Sequence, residues 1–120
     1  MSLIDTSVAI DSLQYDEPRT GAVSVITLLE LLRGVTEDKR AELKKHLEDY
    51  YPVIGIDNKL ILEYCHLSHS LRASGETIPE ADLIIAATAI SRGLELESSD
   101  SHFVQLQSHG LKLRLAGASG

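Results

Sequence analysis

Four carboxylates, Asp5, Glu30, Asp82 and Asp100, each adjoin apolar sequence where a solvated charge has little reason to sit. Asp5 closes the run Leu3-Ile4, and Glu30 is embedded in Thr27-Leu28-Leu29-Glu30-Leu31-Leu32. Asp82 opens Leu83-Ile84-Ile85-Ala86-Ala87, and Asp100 follows Leu94-Glu95-Leu96-Glu97-Ser98-Ser99. A buried carboxylate is costly unless it is paired, protonated or bound to a cation. Four of them gathered by a fold repel one another, and a divalent metal relieves that repulsion. Hard oxygen donors favour Mg²⁺ or Mn²⁺ over zinc, and no Cys/His cluster offers a softer site. Metals of this kind orient a phosphodiester, stabilise charge on its oxygens and lower the pKa of an attacking water. Phosphodiester hydrolysis is the chemistry that suits them.

The neighbours of these acids are small hydroxyl residues. Thr6, Ser7 and Ser98 can position a carboxylate or a water, although Ser7 serves equally well as a helix N-cap. Arg33, one turn after Glu30, is balanced between a surface ion pair and a phosphate contact. Each acid taken singly also has a plainer role. Asp5 and Asp100 can cap the helices that follow them, and Asp82 can favour its helix dipole. Glu30, flanked by leucines, has the poorest alternative.

Other constellations are weaker. His66 and His69 stand at i and i+3 on one helical segment, but no third ligand accompanies them, so a surface pair is expected. His46, His102 and His109 have no partner visible in sequence. Asp57 follows the apolar run Val53-Ile54-Gly55-Ile56, where a receiver domain carries its phosphoacceptor. That signalling fold also needs an acidic pair after its first strand and a late Lys-Pro. Here Asp5 is followed by Thr6-Ser7 and Lys112 by Leu113, and helix capping accounts for Asp57. A haloacid-dehalogenase-type phosphatase would need a second Asp at position 7, which is Ser.

The elements that must position these residues alternate between short apolar runs and helical patterns. Strands are expected at 2–5, 22–24, 52–56, 94–98 and 111–115. Helices are expected at 7–13 with Ser7 as N-cap, at 26–33 ended by Gly34, and at 37–49. The next is capped by Asp57 or Asn58, with Ile61, Tyr64, Leu67, Ser68 and Leu71 on one stripe. Another starts at Thr77-Ile78-Pro79-Glu80, with Glu80 placed for a capping box, and runs to Arg92. The last covers 101–108. The mixed charges of 37–49 read as a solvated face rather than an RNA patch. Gln14 to Gly21, with Pro18, is a polar loop. Strands separated by helices imply an α/β/α sandwich around a mainly parallel five-stranded sheet. Functional groups in such sheets gather at strand carboxyl ends near a reversal of strand order.

At 120 residues the chain is expected to form one domain over 1–115, with a frayed tail at 116–120. The single cysteine, Cys65, cannot form an intrachain disulfide and is read as a small core residue in a reducing cytosol. No secretory signal or membrane-length apolar run is present, so a cytoplasmic location is expected. The net charge of −7 argues against a nucleic-acid partner until metals are counted. Two divalent cations would bring it to about −3, with Arg19, Arg33, Arg72 and Arg92 left to meet phosphates.

Leu3-Ile4-Asp5-Thr6-Ser7 resembles the opening of PIN-domain ribonucleases. Thr27-Leu28-Leu29-Glu30-Leu31-Leu32-Arg33-Gly34 resembles their second motif and Ile78-Pro79-Glu80-Ala81-Asp82-Leu83-Ile84-Ile85-Ala86-Ala87 their third. Ser98-Ser99-Asp100-Ser101-His102-Phe103 is similar to the fourth, commonly Thr-x-Asp-x-x-Phe, with Ser98 in place of Thr. The order and size are most similar to VapC-type toxins of prokaryotic toxin–antitoxin pairs. The resemblance implies an Mg²⁺- or Mn²⁺-dependent endoribonuclease whose catalytic and metal-binding acids are Asp5, Glu30, Asp82 and Asp100. It further implies a homodimer blocked by a small antitoxin. A catalytically silent PIN-like module that only binds RNA or protein is the alternative, and loss of an acid would mark it.

Overall fold

A computed structural model describes residues 1–15 and 19–116. Pro18 and residues 117–120 of the expected tail lie outside the described residues. The Ala116 N–H donates to the Ser98 carbonyl at 2.7 Å.

Strand β1 (Ser2–Ile4) leads into α1 (Thr6–Gln14), and β2 (Val23–Ser24) into α2 (Val25–Arg33) and α3 (Glu37–Tyr50). Strand β3 (Val53–Ile54) is followed by α4 (Asn58–Ala73) and α5 (Glu80–Arg92). Strand β4 (Glu95–Ser98), a 3₁₀ helix (Ser101–His109) and β5 (Leu113–Leu115) complete the chain. All strand pairs are parallel, as helical crossovers require. The single five-stranded sheet expected from sequence is instead a three-stranded sheet, β1-β4-β5, and a two-stranded ladder, β2-β3. One parallel bridge, Leu3 to Ala22, joins them. The ladders are short because β2 and β3 have two residues each, and Gly21 bends the chain beside β1. Across that bridge the order reads 3-2-1-4-5. The direction of winding therefore reverses between β1 and β4, and Asp5 and Asp100 follow those two strands.

Strand alternation divides the core in two. Leu3, Ala22 and Leu96 face a cluster with Leu67, Leu71, Ile85, Phe103 and Leu106. Ile4 and Val23 face the other side, against Val8, Leu28, Leu32 and Leu47. Thus α1 to α3 cover one face, and α4, α5 and the 3₁₀ helix the other, giving the expected α/β/α sandwich. Helix α5 is buried on most faces, as its composition demands: Leu83, Ile85, Ala86, Ala87, Thr88 and Ala89 are all inside.

Several local expectations are corrected. Asp5, not Ser7, caps α1, and its side chain accepts from the Val8 N–H. Pro79 precedes α5 with no side-chain cap, so Glu80 forms no capping box. The segment after Asp100 is 3₁₀ rather than α-helical. Cys65 is exposed. The buried stripe of α4 runs through Leu60, Leu67 and Leu71, which turns Cys65 and Ile61 outward.

Candidate metal centre

Asp5 is the most buried of the four acids, at 4% exposure. Its two oxygens have different partners. Oδ1 accepts the Val8 N–H at 3.1 Å and the Ser7 hydroxyl at 2.6 Å. Oδ2 accepts the Ser98 hydroxyl at 2.5 Å. Burial pushes the Asp5 carboxyl up from its ordinary value; the Ser7, Ser98 and Val8 hydrogen bonds oppose this, and the Asp100 charge adds to it.

Ser98 does double duty at the end of β4. It donates to Asp5 and accepts the Asp100 N–H at 2.9 Å. Ser7 likewise accepts the Ser99 N–H at 3.1 Å while donating to Asp5. The two strand ends are therefore stitched together by small hydroxyls.

Glu30 is half-buried on α2. Its Oε1 accepts the Thr6 hydroxyl at 2.6 Å, and Thr6 Oγ1 lies 3.1 Å from Thr27 Oγ1. A hydroxyl has one proton. With it given to the carboxylate, Thr27 is the donor in the second contact. Thr27, fully buried one turn before Glu30, was not singled out from sequence; its i−3 spacing was the available signal.

Asp82 lies in the first turn of α5, half-buried. Its carboxyl is pushed up by burial first, then by the charges of Asp100, Glu30 and Asp5, while His102 pulls it down. One group thus feels all three of the others. Asp100 caps the 3₁₀ helix, its Oδ1 accepting the His102 N–H at 2.9 Å. The His102 Nδ1 is also 2.9 Å from that oxygen. Potential ligand atoms of Asp82, Asp100 and His102 lie within 4.8 Å of one another. His102 had shown no partner in sequence, although an Asp-x-His spacing stood beside Asp100.

Arg33 is exposed on the last turn of α2, without an ion pair among the described residues. His66 and His69 are exposed on α4 and join no ligand cluster among the described residues. Asp57 caps α4 through Leu60 N–H at 2.9 Å and pairs with Arg92 Nη2 at 2.7 Å. Its carboxyl is held low, first by that backbone N–H and then by the Arg92 charge. Both oxygens are engaged, which disfavours the phosphoacceptor reading. The donor set of four carboxylates, two of them pushed up where they meet, fits a hard divalent cation.

The PIN domain family matches residues 2–108. Ribonuclease VapC1 of Methanocaldococcus jannaschii is 33% identical over 115 residues, covering 92% of this chain and 85% of that protein. Ribonuclease VapC5 of Mycobacterium tuberculosis is 34% identical over 116 residues, covering 87% and 86%. The crystal structure of VapBC-5 from M. tuberculosis, a member of the VapBC family of toxin-antitoxin systems, superposes with a TM-score of 0.74. It is 30% identical and covers 96% of this chain and 98% of that one. VapBC-1 from nontypeable Haemophilus influenzae shares the fold at a TM-score of 0.78 and 19% identity, covering 95% and 96%. The order of the motifs, the sheet reversal that assembles them and these likenesses agree: the chain belongs to the PIN-domain family, and within it to the VapC proteins.

Proposed function

We propose that this protein is an Mg²⁺- or Mn²⁺-dependent endoribonuclease and the toxin of a toxin–antitoxin pair. The observation that carries the reading is the gathering of the acids where the strand order reverses, with Asp82 and Asp100 ligand atoms within 4.8 Å of each other. The Asp82 carboxyl is accordingly pushed up, first by burial and then by the charges of Asp100, Glu30 and Asp5. Asp5, Glu30, Asp82 and Asp100 would hold the metal. When bound, it would neutralise charge on the scissile phosphate and acidify the attacking water.

The chain's own residues supply position. Ser98 and Ser7 fix the Asp5 carboxylate, and Thr6 holds Glu30 toward the same strand ends. Arg33 is a phosphate contact. No acid is lost, which favours an active enzyme over a silent RNA- or protein-binding module. The relatives are named ribonucleases, and the 30%-identical VapBC-5 structure is that of a toxin-antitoxin system. These likenesses support a cognate antitoxin, and a homodimer and cytoplasmic action belong to the same reading. No helix among the described residues is long and apolar enough to cross a membrane.

The test is RNA cleavage by the purified protein with Mg²⁺ or Mn²⁺ and with EDTA. Cleavage should vanish in EDTA and fall at least a hundredfold in Asp5→Asn, Asp82→Asn and Asp100→Asn. Products should carry 5′-phosphate and 3′-hydroxyl ends, and a 2′-deoxy substitution at the cleaved position should be tolerated. Unchanged activity in EDTA, or a 2′,3′-cyclic phosphate, would sink the mechanism.

A further inference from the structure

We infer that His102 is a nitrogen ligand of the metal centre and biases it toward Mn²⁺ over Mg²⁺. The inference rests on the metal reading proposed above and extends it to a residue outside the four acids.

The geometry begins with the 3₁₀ turn after β4. Asp100 is its N-cap and His102 lies two residues on, with the His102 N–H bonded to Asp100 Oδ1 at 2.9 Å. That tight turn folds the imidazole back onto the carboxylate, leaving Nδ1 also 2.9 Å from Oδ1. Asp82, arriving from α5 on the other side, brings its own ligand atom within 4.8 Å of both. Adjacent ligands around an octahedral cation of this size are about 3.0 Å apart, and opposite ones about 4.2 Å. The Asp100–His102 spacing matches the first, and the 4.8 Å that bounds the whole set stands close to the second. His102 is well exposed, so no packing prevents the ring from adjusting.

The chemistry follows from donor type. Mg²⁺ is hard, holds to oxygen and dehydrates reluctantly. An imidazole suits later first-row metals, whose affinity for nitrogen donors rises along that series from Mn²⁺ onward. Two carboxylates and an imidazole therefore favour Mn²⁺ more than four carboxylates alone would. The 2.9 Å contact is a hydrogen bond or ion pair while Nδ1 carries a proton; a cation bound there would take that proton's place, with Nδ1 deprotonated as its ligand.

Pulsed electron paramagnetic resonance of the Mn²⁺-loaded protein reads nitrogen ligation directly, and calorimetry with Mn²⁺ and Mg²⁺ separately reads preference. Wild type should show imidazole ¹⁴N coupling to Mn²⁺. His102→Ala should lose that coupling yet still bind Mn²⁺, with the Mn²⁺-to-Mg²⁺ affinity ratio lowered on the order of tenfold. His102→Asp, which offers oxygen instead, should bind both metals without nitrogen coupling. Mn²⁺ binding by wild type without nitrogen coupling, or with coupling that survives in His102→Ala, would overturn the role of His102 alone. Failure of wild type to bind Mn²⁺ at all would overturn the metal centre beneath it.

Discussion

Charge crowding at individual carboxyls has a measurable sign. Asp82 is pushed above 3.8 in the folded protein by burial and by three acidic neighbours. Such a group keeps its proton longer in the folded state, so stability falls as pH rises from the unfolded value through the folded one. Asp5 acts in the same direction. Asp57 acts in the opposite one, its contribution present above 3.8 and lost on acidification. Comparing wild type with Asp82→Asn cancels Asp57 and isolates Asp82. Without metal at neutral pH the variant should melt a few degrees higher, roughly 2–4 °C, and the gap should close toward pH 4. A lower melting temperature would instead make Asp82 a stabiliser of its helix N-terminus. Ser98 gives the converse test, since it satisfies both Asp5 Oδ2 and the Asp100 N–H. Ser98→Ala leaves a buried carboxylate oxygen short of a donor and should cost about 1–3 kcal/mol in urea unfolding, with activity lost as both acids shift.

Elements place these residues through contacts the backbone permits at few positions. Gly21 has φ +150, and a Cβ there would sit 2.7 Å from the Ser2 carbonyl oxygen. That oxygen accepts the Ala22 N–H at 2.9 Å, part of the bridge that joins the two ladders. Gly21→Ala must push β2 away from β1, the strand that delivers Asp5, and should cost about 1–3 kcal/mol. Gly55→Ala, with nothing within 4 Å of the added methyl, should stay within about 0.5 kcal/mol of wild type. Equal urea midpoints for the two variants would remove the close approach as a cause. The strand and helix order was legible because each element carries its own apolar period, and the motif acids were legible because charge interrupted those periods. What was not legible depends on chain segments meeting. Asp5 outcompeted Ser7 as cap because Ser7 is engaged with Asp5 and Ser99. Ser101 to His109 carries a helical pattern, and nothing in that pattern distinguishes 3₁₀ from α winding; the tighter turn is what brings His102 onto Asp100. Glu97 read as an ordinary strand residue. It is buried between Arg19 at 3.2 Å and Arg114 at 2.8 Å, partners 78 and 17 positions away.

Over the whole molecule, a charge of −7 must be reconciled with a polyanionic substrate. Ordinary RNA-binding proteins neutralise phosphates with Lys and Arg, release counterions and so bind more weakly as salt rises. This chain has 11 basic residues against 18 acidic ones, and many of the basic side chains are already committed. Arg19 and Arg114 pair with Glu97, Arg92 with Asp57, Lys44 with Glu48, and Arg40 donates to the Leu32 and Val35 carbonyls. On the metal-dependent reading proposed above, the attraction would come largely from divalent cations held by the four acids, which would turn an acidic cluster into the substrate's point of contact. The salt dependence should therefore invert with metal. In EDTA, affinity for a short single-stranded RNA should be weak at low ionic strength and flat or slightly improved by added NaCl, because salt screens net repulsion over roughly 10 Å. With Mg²⁺, measured on a non-cleavable analogue, affinity should rise and then decline with NaCl. Asp5→Asn or Asp82→Asn should flatten the Mg²⁺ response while leaving the EDTA curve nearly unchanged. Fluorescence anisotropy across both series decides it. A steep fall of affinity with NaCl in EDTA would mean that a basic surface, not the metal centre, recruits the RNA.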